Sequence, residues 1–183
     1  MFNIFVQTLG YIGVLSFVWA NSQKTRKNVL IFSFLGRVMF ITHYCLIGGF
    51  AGAIQNTTGG VAATLSGLKG KKPYDSIFIP IIIVVTTAVG GVLTYDKTMG
   101  WQSLLPAIAM LLQNPALWLK RERNIRLMSL AGIPLWFCYN YLAGSVPAMV
   151  CDTFSISALL YALTRYDIIP AIKAKKAKNE KAR

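Results

Sequence analysis

Seven blocks of nearly unbroken apolar sequence dominate this chain: Asn3–Ala20, Val29–Ile47, Phe50–Leu68, Ser76–Tyr95, Trp101–Leu119, Ile125–Leu142 and Val146–Arg165. Their apolar residues are not spaced for one face of a helix or alternated for a strand. Each block reaches the roughly 17 to 25 residues that an α-helix needs to cross a ~30 Å hydrocarbon core. Charged residues make up only 14% of the chain, against roughly 25% in soluble domains. The expected fold is therefore all-α, a polytopic membrane protein of seven transmembrane helices. Blocks two and three, like blocks six and seven, are parted only by a few small residues. A lower count would merge one such pair or make one block re-entrant.

Charge gives the orientation. Taking the blocks in order, one set of loops holds Lys24, Arg26 and Lys27, then Lys69, Lys71 and Lys72, then Lys120, Arg121, Arg123 and Arg126. The tail on the same side adds Arg165, Lys173, Lys175, Lys176, Lys178, Lys181 and Arg183, which brings the set to 17 of the 19 Lys and Arg. The opposite loops hold only Lys97, and Arg37 falls inside the second block. Because cytoplasmic loops collect Lys and Arg, this alternation predicts an odd number of spans, N-terminus out and C-terminus in, in a bacterial inner membrane. The net charge of +13 is read as a topogenic signal that also holds the cytoplasmic face to anionic lipid. No nucleic-acid partner is expected, because the aromatics that would stack on bases sit in the apolar blocks.

Other readings fall away on chemistry. The first block has no Lys or Arg ahead of it and no small-x-small cleavage site, so it is expected to remain as a helix rather than a signal peptide. Cys45, Cys138 and Cys151 show no CxxC spacing and are expected as small apolar packing residues. His43 is the sole histidine, with no carboxylate near it in sequence, and reads as a hydrogen-bonded packing residue near the outer end of the second helix. No nucleophile elbow, phosphate loop or metal-ligand set is present. The chain is expected to be neither an enzyme nor a holder of any cofactor or metal.

Sliding the chain by 96 residues superposes Phe17–Lys69 on Gln113–Arg165 without a gap. Lys24 then meets Lys120, Asn28 meets Asn124, Ser33 meets Ser129, Gly36 meets Gly132, Leu46 meets Leu142 and Gly48 meets Gly144. Both copies have the order helix, basic loop, helix, short small-residue turn, helix, cation. Two three-helix repeats of the same orientation need an odd linker span between them, which the fourth block supplies. The predicted organisation is a first triple-helix bundle over 1–69, a linker helix with its loops over 70–100, a second bundle over 101–170 and a basic tail over 171–183. Parallel repeats of this kind form a transporter plan with the site between the halves near the midplane.

In the second copy, Trp136 is followed by Tyr139 at +3, Pro147 at +11 and Asp152 at +16, with the turn Ala143-Gly144-Ser145 between. This resembles the helix-turn-helix of the PQ-loop (MtN3) superfamily, which includes the SWEET and SemiSWEET facilitators. The turn and the repeat layout resemble more narrowly the YgjV-type bacterial inner membrane proteins, over nearly the whole chain. The resemblance implies a 3+1+3 arrangement, two triple-helix bundles facing each other across a central pocket. It places Trp136 at the pocket tryptophan and Asp152 at the pocket asparagine; by the repeat, Phe40 and Asn56 take the matching places in the first half. The chain departs from the pattern with Asp at 152, with Phe at 40, and in lacking the Pro-Gln pair of the first repeat helix, whose nearest echo is Gln113-Asn114-Pro115.

The same residues have a reading without any family. A carboxylate or guanidinium inside a span costs ~2.5–3.5 kcal/mol on insertion scales, so Asp152 and Arg37 should each face a partner or a wet cavity. An Arg37–Asp152 ion pair would satisfy both, and Arg37 could instead snorkel to the inner face. An unpaired Asp152 in a pocket could carry a proton with the substrate. Asn56 would serve equally as an interhelical hydrogen bond. Trp136 offers a flat face to a solute or simply packs, while Tyr95, Trp101 and Trp118 fit an interfacial belt. Pro115 and Pro134 flank the basic loop of the second copy, where a hinge or a static kink would sit. Two function classes remain: a carrier for a small polar solute, with substrate contacts from Phe40, Asn56, Trp136 and Asp152, and a non-transporting membrane scaffold or assembly factor. The carrier predicts a polar cavity bounded by both repeats; the scaffold predicts a dry core with Asp152 bridged to Arg37. Beyond the lipid bilayer and the solute, a homo-oligomer is compatible with the small-residue faces.

Overall fold

The computed structural model describes residues 2–21, 26–68, 70–71, 76–173 and 179. The basic residues Lys24, Lys69, Lys72, Lys175, Lys176, Lys178, Lys181 and Arg183 lie outside them. The described chain is all-helical. Its elements are α1 (Phe2–Asn21), α2 (Arg26–Leu46), α3 (Phe50–Ser66), α4 (Phe78–Leu93), α5 (Leu105–Ala116), α6 (Glu122–Leu142) and α7 (Val146–Ala162). Each expected span is thus a helix, with two differences. The fifth opens with a 3-10 turn at Gly100–Leu104 before α5 begins, with Pro106 in its first turn where a missing N–H costs nothing. The seventh runs past its expected end: a π-helical turn at Leu163–Ile168 follows α7, and helix continues through Pro170 to Lys173, so the first residues of the expected tail, 171–173, are helical.

Among the described residues one continuous helix, Val146–Lys173, is long and apolar enough to cross a membrane by length and composition, with a mean hydropathy of 1.6 over an 18-residue stretch of it. The apolar stretches Asn3–Trp19, Ile31–Leu46 and Phe78–Leu93 are shorter. The 3-10 turn and α5 together reach about 28 Å at about 2.0 and 1.5 Å per residue.

The turns between α2 and α3 and between α6 and α7 are the same structure 96 residues apart. Gly48 and Gly144 take φ of 76° and 69°, a left-handed conformation that glycine adopts without Cβ strain. At the first turn Gly49 N donates to Tyr44 O (2.8 Å) and Gly48 N to Cys45 O (3.3 Å). At the second, Ser145 N donates to Asn140 O (2.9 Å) and Gly144 N to Tyr141 O (3.2 Å). Both are Schellman caps, which satisfy the last carbonyls of one helix and reverse the chain within three residues.

Six of the helices close a ring. α1 packs on α2, α2 on α3, α3 on α5, α5 on α6, α6 on α7, and α7 returns to α1. α4 stands outside, against α3 and α5. It is anchored there by a buried polar cluster: Gln55 Nε2 donates to the Thr87 carbonyl (3.0 Å) and Asn114 Nδ2 to Thr87 Oγ1 (3.0 Å). The exterior is apolar. On α4, Ile81, Ile82, Val85, Val89, Val92 and Leu93 are exposed, as are Ile4, Phe34 and Phe154 on other helices. Buried instead are His43, Gln55, Thr87, Ser103, Asn114, Asn140 and Ser145. Apolar surface out and hydrogen-bonded polar groups in is the reverse of a protein folded in water, where apolar patches of this extent are uncommon.

Candidate functional site

The ring encloses a cavity of about 470 Å³, to which all six of its helices contribute and α4 does not. The residues singled out from sequence meet there. Arg37 and Phe40 come from α2, Asn56 from α3, Trp136 from α6 and Asp152 from α7, and all five line the one cavity. α3 and α7 stand across the ring from each other, so Asn56 and Asp152 face the cavity from opposite walls.

A polar chain crosses the ring from α2 to α6 and α7 at the blind end of the cavity. The Tyr44 hydroxyl donates to Asn140 Oδ1 (2.7 Å), and Asn140 Nδ2 donates to Asp152 Oδ2 (2.7 Å). Tyr44 and Asn140 are almost wholly buried, and the carboxylate they tether at Oδ2 belongs to the cavity lining. Arg37 is held more loosely: its Nη1 lies 3.4 Å from the Asn56 carbonyl, and its guanidinium sits 5.9 Å from the centre of the Phe17 ring. The Arg37–Asp152 ion pair that the scaffold alternative requires does not form. Among the described residues the ion pairs are those of Arg126, with Asp167 at 2.9 Å and Glu122 at 3.9 Å. The two charges share a cavity, but each leans on its own neighbours. Asn56 bonds within its own helix, Nδ2 to the Gly52 carbonyl at 3.3 Å, rather than between helices.

The aromatic residues form a continuous run from α1 and α2 across to α6. Phe17 stacks on Phe40 at 5.8 Å between centroids, Phe40 meets Tyr44 at 6.2 Å, Tyr44 meets Trp136 at 6.3 Å, and Trp136 meets Tyr139 edge-on at 6.2 Å. Trp136 therefore both packs and lines the cavity. Its ring is held between two tyrosines.

The cavity has a sealed end and an accessible end. Toward the short turns its walls are Tyr44, Trp136, Asn140 and Ala148, all buried. Toward the basic loops they are Phe17, Ala63 and Leu117, each within about a turn of the end of α1, α3 or α5, with Ala158 and Leu159 from the continuous last helix, and each is partly or fully exposed. The seal is made by hydrogen bonds between helices. His43 Nδ1 donates to the Val6 carbonyl (2.8 Å), so the neutral ring accepts the Ser145 hydroxyl at Nε2 (2.8 Å). The Gly52 N–H donates to the Tyr139 hydroxyl at 3.1 Å, and Gln7 Nε2 donates to the Gly144 carbonyl at 3.1 Å. Gly10 and Gly52 permit the contact. A Cβ on Gly10 would lie 2.7 Å from Pro147 Cγ, and one on Gly52 would lie 2.9 Å from both Tyr44 and Tyr139 ring carbons. Beyond the seal, Tyr139 also lines a second depression, with Phe50, Tyr95 and Asp96.

His43 is hydrogen-bonded packing, as its type and position suggest, but its partners join α1, α2 and the start of α7. Tyr44 and Asn140 do not stand out in the sequence by themselves. The 96-residue shift carries the signal, since it lays Tyr44 on Asn140 one turn beyond the Phe40–Trp136 pair.

A helical protein with an apolar exterior and a charged, polar cavity enclosed by a ring of helices belongs to the membrane-embedded class. A protein-family model, Imp-YgjV, described as a bacterial inner membrane protein, matches residues 4–168, and the chain belongs to that family. No curated protein and no solved structure matches the chain.

Proposed function

We propose that this protein is a carrier for a small polar solute, working by alternating access around the central cavity, with the solute held among Phe40, Asn56, Trp136 and Asp152. The observation that carries the reading is the contrast between the two ends of the cavity. One end is closed by hydrogen bonds between side chains and backbone of different helices, which can be exchanged for water as they break. The other is open at the helix ends beside the basic loops. With those loops in the cytoplasm, as their Lys and Arg content directs, the state described is open inward, with the N-terminus outside and the C-terminus inside. The seven helices are then seven spans, and the exposed apolar belt faces lipid. No cofactor and no bond-making step is required.

The moving parts are two parallel three-helix repeats, α1–α3 and α5–α7, joined by α4 as linker, in a 3+1+3 plan related to the PQ-loop superfamily. Three features support this. The Schellman turns at Gly48 and Gly144 match bond for bond at the 96-residue offset. Exchanging α1 with α5, α2 with α6 and α3 with α7 reproduces the ring, since α1 meets α7 just as α5 meets α3. And Tyr44 bonds Asn140, its own counterpart at the same offset; equivalent residues of a two-fold pair touch only beside the axis. Rocking the halves about that axis would open the sealed end and close the other.

The reading is tested with the purified full-length chain in detergent, by thermal unfolding against sugars, amino acids and organic acids. A binding site predicts that at least one class raises Tm, and that Trp136→Ala and Asn56→Ala weaken the shift. A chain that no class stabilises, and that leaves the membrane with a stoichiometric membrane partner, is a scaffold instead.

A further inference from the structure

We infer that the solute is a small zwitterion carrying an ammonium and a carboxylate, of the type of an α-amino acid with an uncharged side chain. This rests on the carrier reading of the same cavity and names the chemistry that the cavity selects. Among the described residues, the cavity walls carry one cation, Arg37, and one anion, Asp152. Neither is in an ion pair with the other or with any other described residue. Two opposite charges inside one membrane protein would ordinarily neutralise each other, because an uncompensated charge there is costly. Here they are kept apart by the scaffold. Arg37 is drawn to the α3 wall by the Asn56 carbonyl and the Phe17 ring, and Asp152 is drawn to the α6–α7 side by Asn140, itself fixed by Tyr44.

A guest that carries both charges satisfies both walls at once. Its ammonium meets the free oxygen of Asp152, and its carboxylate meets the forked N–H donors of Arg37, a geometry that guanidinium is built to match. A neutral sugar compensates neither charge, and a simple anion or cation compensates one while adding to the imbalance. The rest of the lining suits an uncharged remainder. Phe40, Trp136, Met110 and Ile133 offer apolar contact, while Gln113 and Ser129 offer neutral polar groups. Of these two, Gln113 is already engaged, its Nε2 donating to the Ser129 carbonyl at 3.2 Å. A volume of about 470 Å³ admits a molecule of this size together with water.

The test uses the purified full-length protein in detergent and four zwitterions: alanine, leucine, glutamine and γ-aminobutyrate, the last with a wider charge separation. Their half-molecules propionate and ethylamine, and the neutral solutes lactamide and glucose, are run at equal concentration. At least one zwitterion is expected to raise Tm by several degrees in a concentration-dependent way. Propionate, ethylamine and their equimolar mixture are expected to bind at least about tenfold more weakly, because each leaves one charge uncompensated. Asp152→Asn and Arg37→Lys are each expected to weaken zwitterion binding about tenfold. Because either variant could lose stability, the half-molecule series on the unaltered protein stands as an independent readout. Stabilisation by glucose, lactamide or a single-charge solute, with none by the four zwitterions, overturns this inference and leaves the carrier reading intact. Absence of any shift across all eight solutes overturns both.

Discussion

At the residue scale, the clearest requirement falls on Gly48 and Gly144. A Cβ on either would meet nothing within 4 Å, so any cost of substitution is conformational rather than steric. With φ near 70°, an L-residue there pays about 1–2 kcal/mol, and Asn pays least because its side chain can bond locally. Gly144→Val is therefore expected to lower Tm by several degrees and Gly144→Asn by clearly less, read by thermal unfolding in detergent. Equal losses would mean that the turn does not depend on the left-handed residue. Gly10 and Gly52 have the opposite requirement: their φ is unexceptional, and it is the neighbouring rings that exclude a side chain. Along the sequence Gly48 and Gly144 fall in the short small-residue turns, while nothing in the spacing marks Gly10, since a glycine does not announce which of its two uses applies.

At the element scale, the extension of α7 is the feature least legible along the chain. The π-helical turn Leu163–Ile168 rotates the helix so that Asp167 reaches back to α6, where Arg126 Nη1 lies 2.9 Å from its carboxylate and the guanidinium sits 5.7 Å from the centre of the Tyr166 ring. Both charged side chains are largely shielded, which raises the worth of the pair above that of a surface bridge. By sequence Arg126 counts only as one of the basic loop residues. Its pairing with Asp167 shows that it also ties the end of the last helix to the start of α6. Arg126→Gln is expected to destabilise by about 1.5–3 kcal/mol, the worth of a hydrogen bond to a charged group, and Asp167→Asn by a similar amount. If the double variant loses no more than either single one, the two side chains act as a pair; additive losses would show that they act separately. In α5 the expected span is made of two helical pieces, because Pro106 has to stand in the first turn of an α-helix and the preceding residues wind more tightly.

At the scale of the whole molecule, the orientation rests on where the cations lie, and it is open to direct labelling. The loop after α4 is a compact turn in which Asp96 Oδ1 accepts from the Thr98 backbone N–H (2.7 Å) and hydroxyl (2.6 Å). Those donors, the hydroxyl first, hold the Asp96 carboxyl below its ordinary value, and they make Asp96 a poor site to alter. Lys97 beside it is exposed and outside that network, as is Lys71 on the opposite side. In a variant with Cys45, Cys138 and Cys151 replaced, Lys97→Cys in intact cells should react with an impermeant thiol reagent, and Lys71→Cys should react only after the membrane is opened. The reverse result would invert the topology and, with it, the side to which the cavity opens.

Counting and spacing along the chain were enough to determine seven helices and the turn at each glycine pair, and to predict a side for each loop from its charge. The sequence also brought Phe40, Asn56, Trp136 and Asp152 forward as one group, through the 96-residue offset and a resemblance. These are local or periodic properties, set by the solvent that each stretch must tolerate. Only the tertiary structure decided that the helices close a ring, that α4 stands outside it, and that Arg37 and Asp152 share a cavity without pairing. Those outcomes depend on angles and depths between helices. A difference of about one helical turn, roughly 5.4 Å, separates an ion pair from two free charges, and no spacing along the chain resolves it.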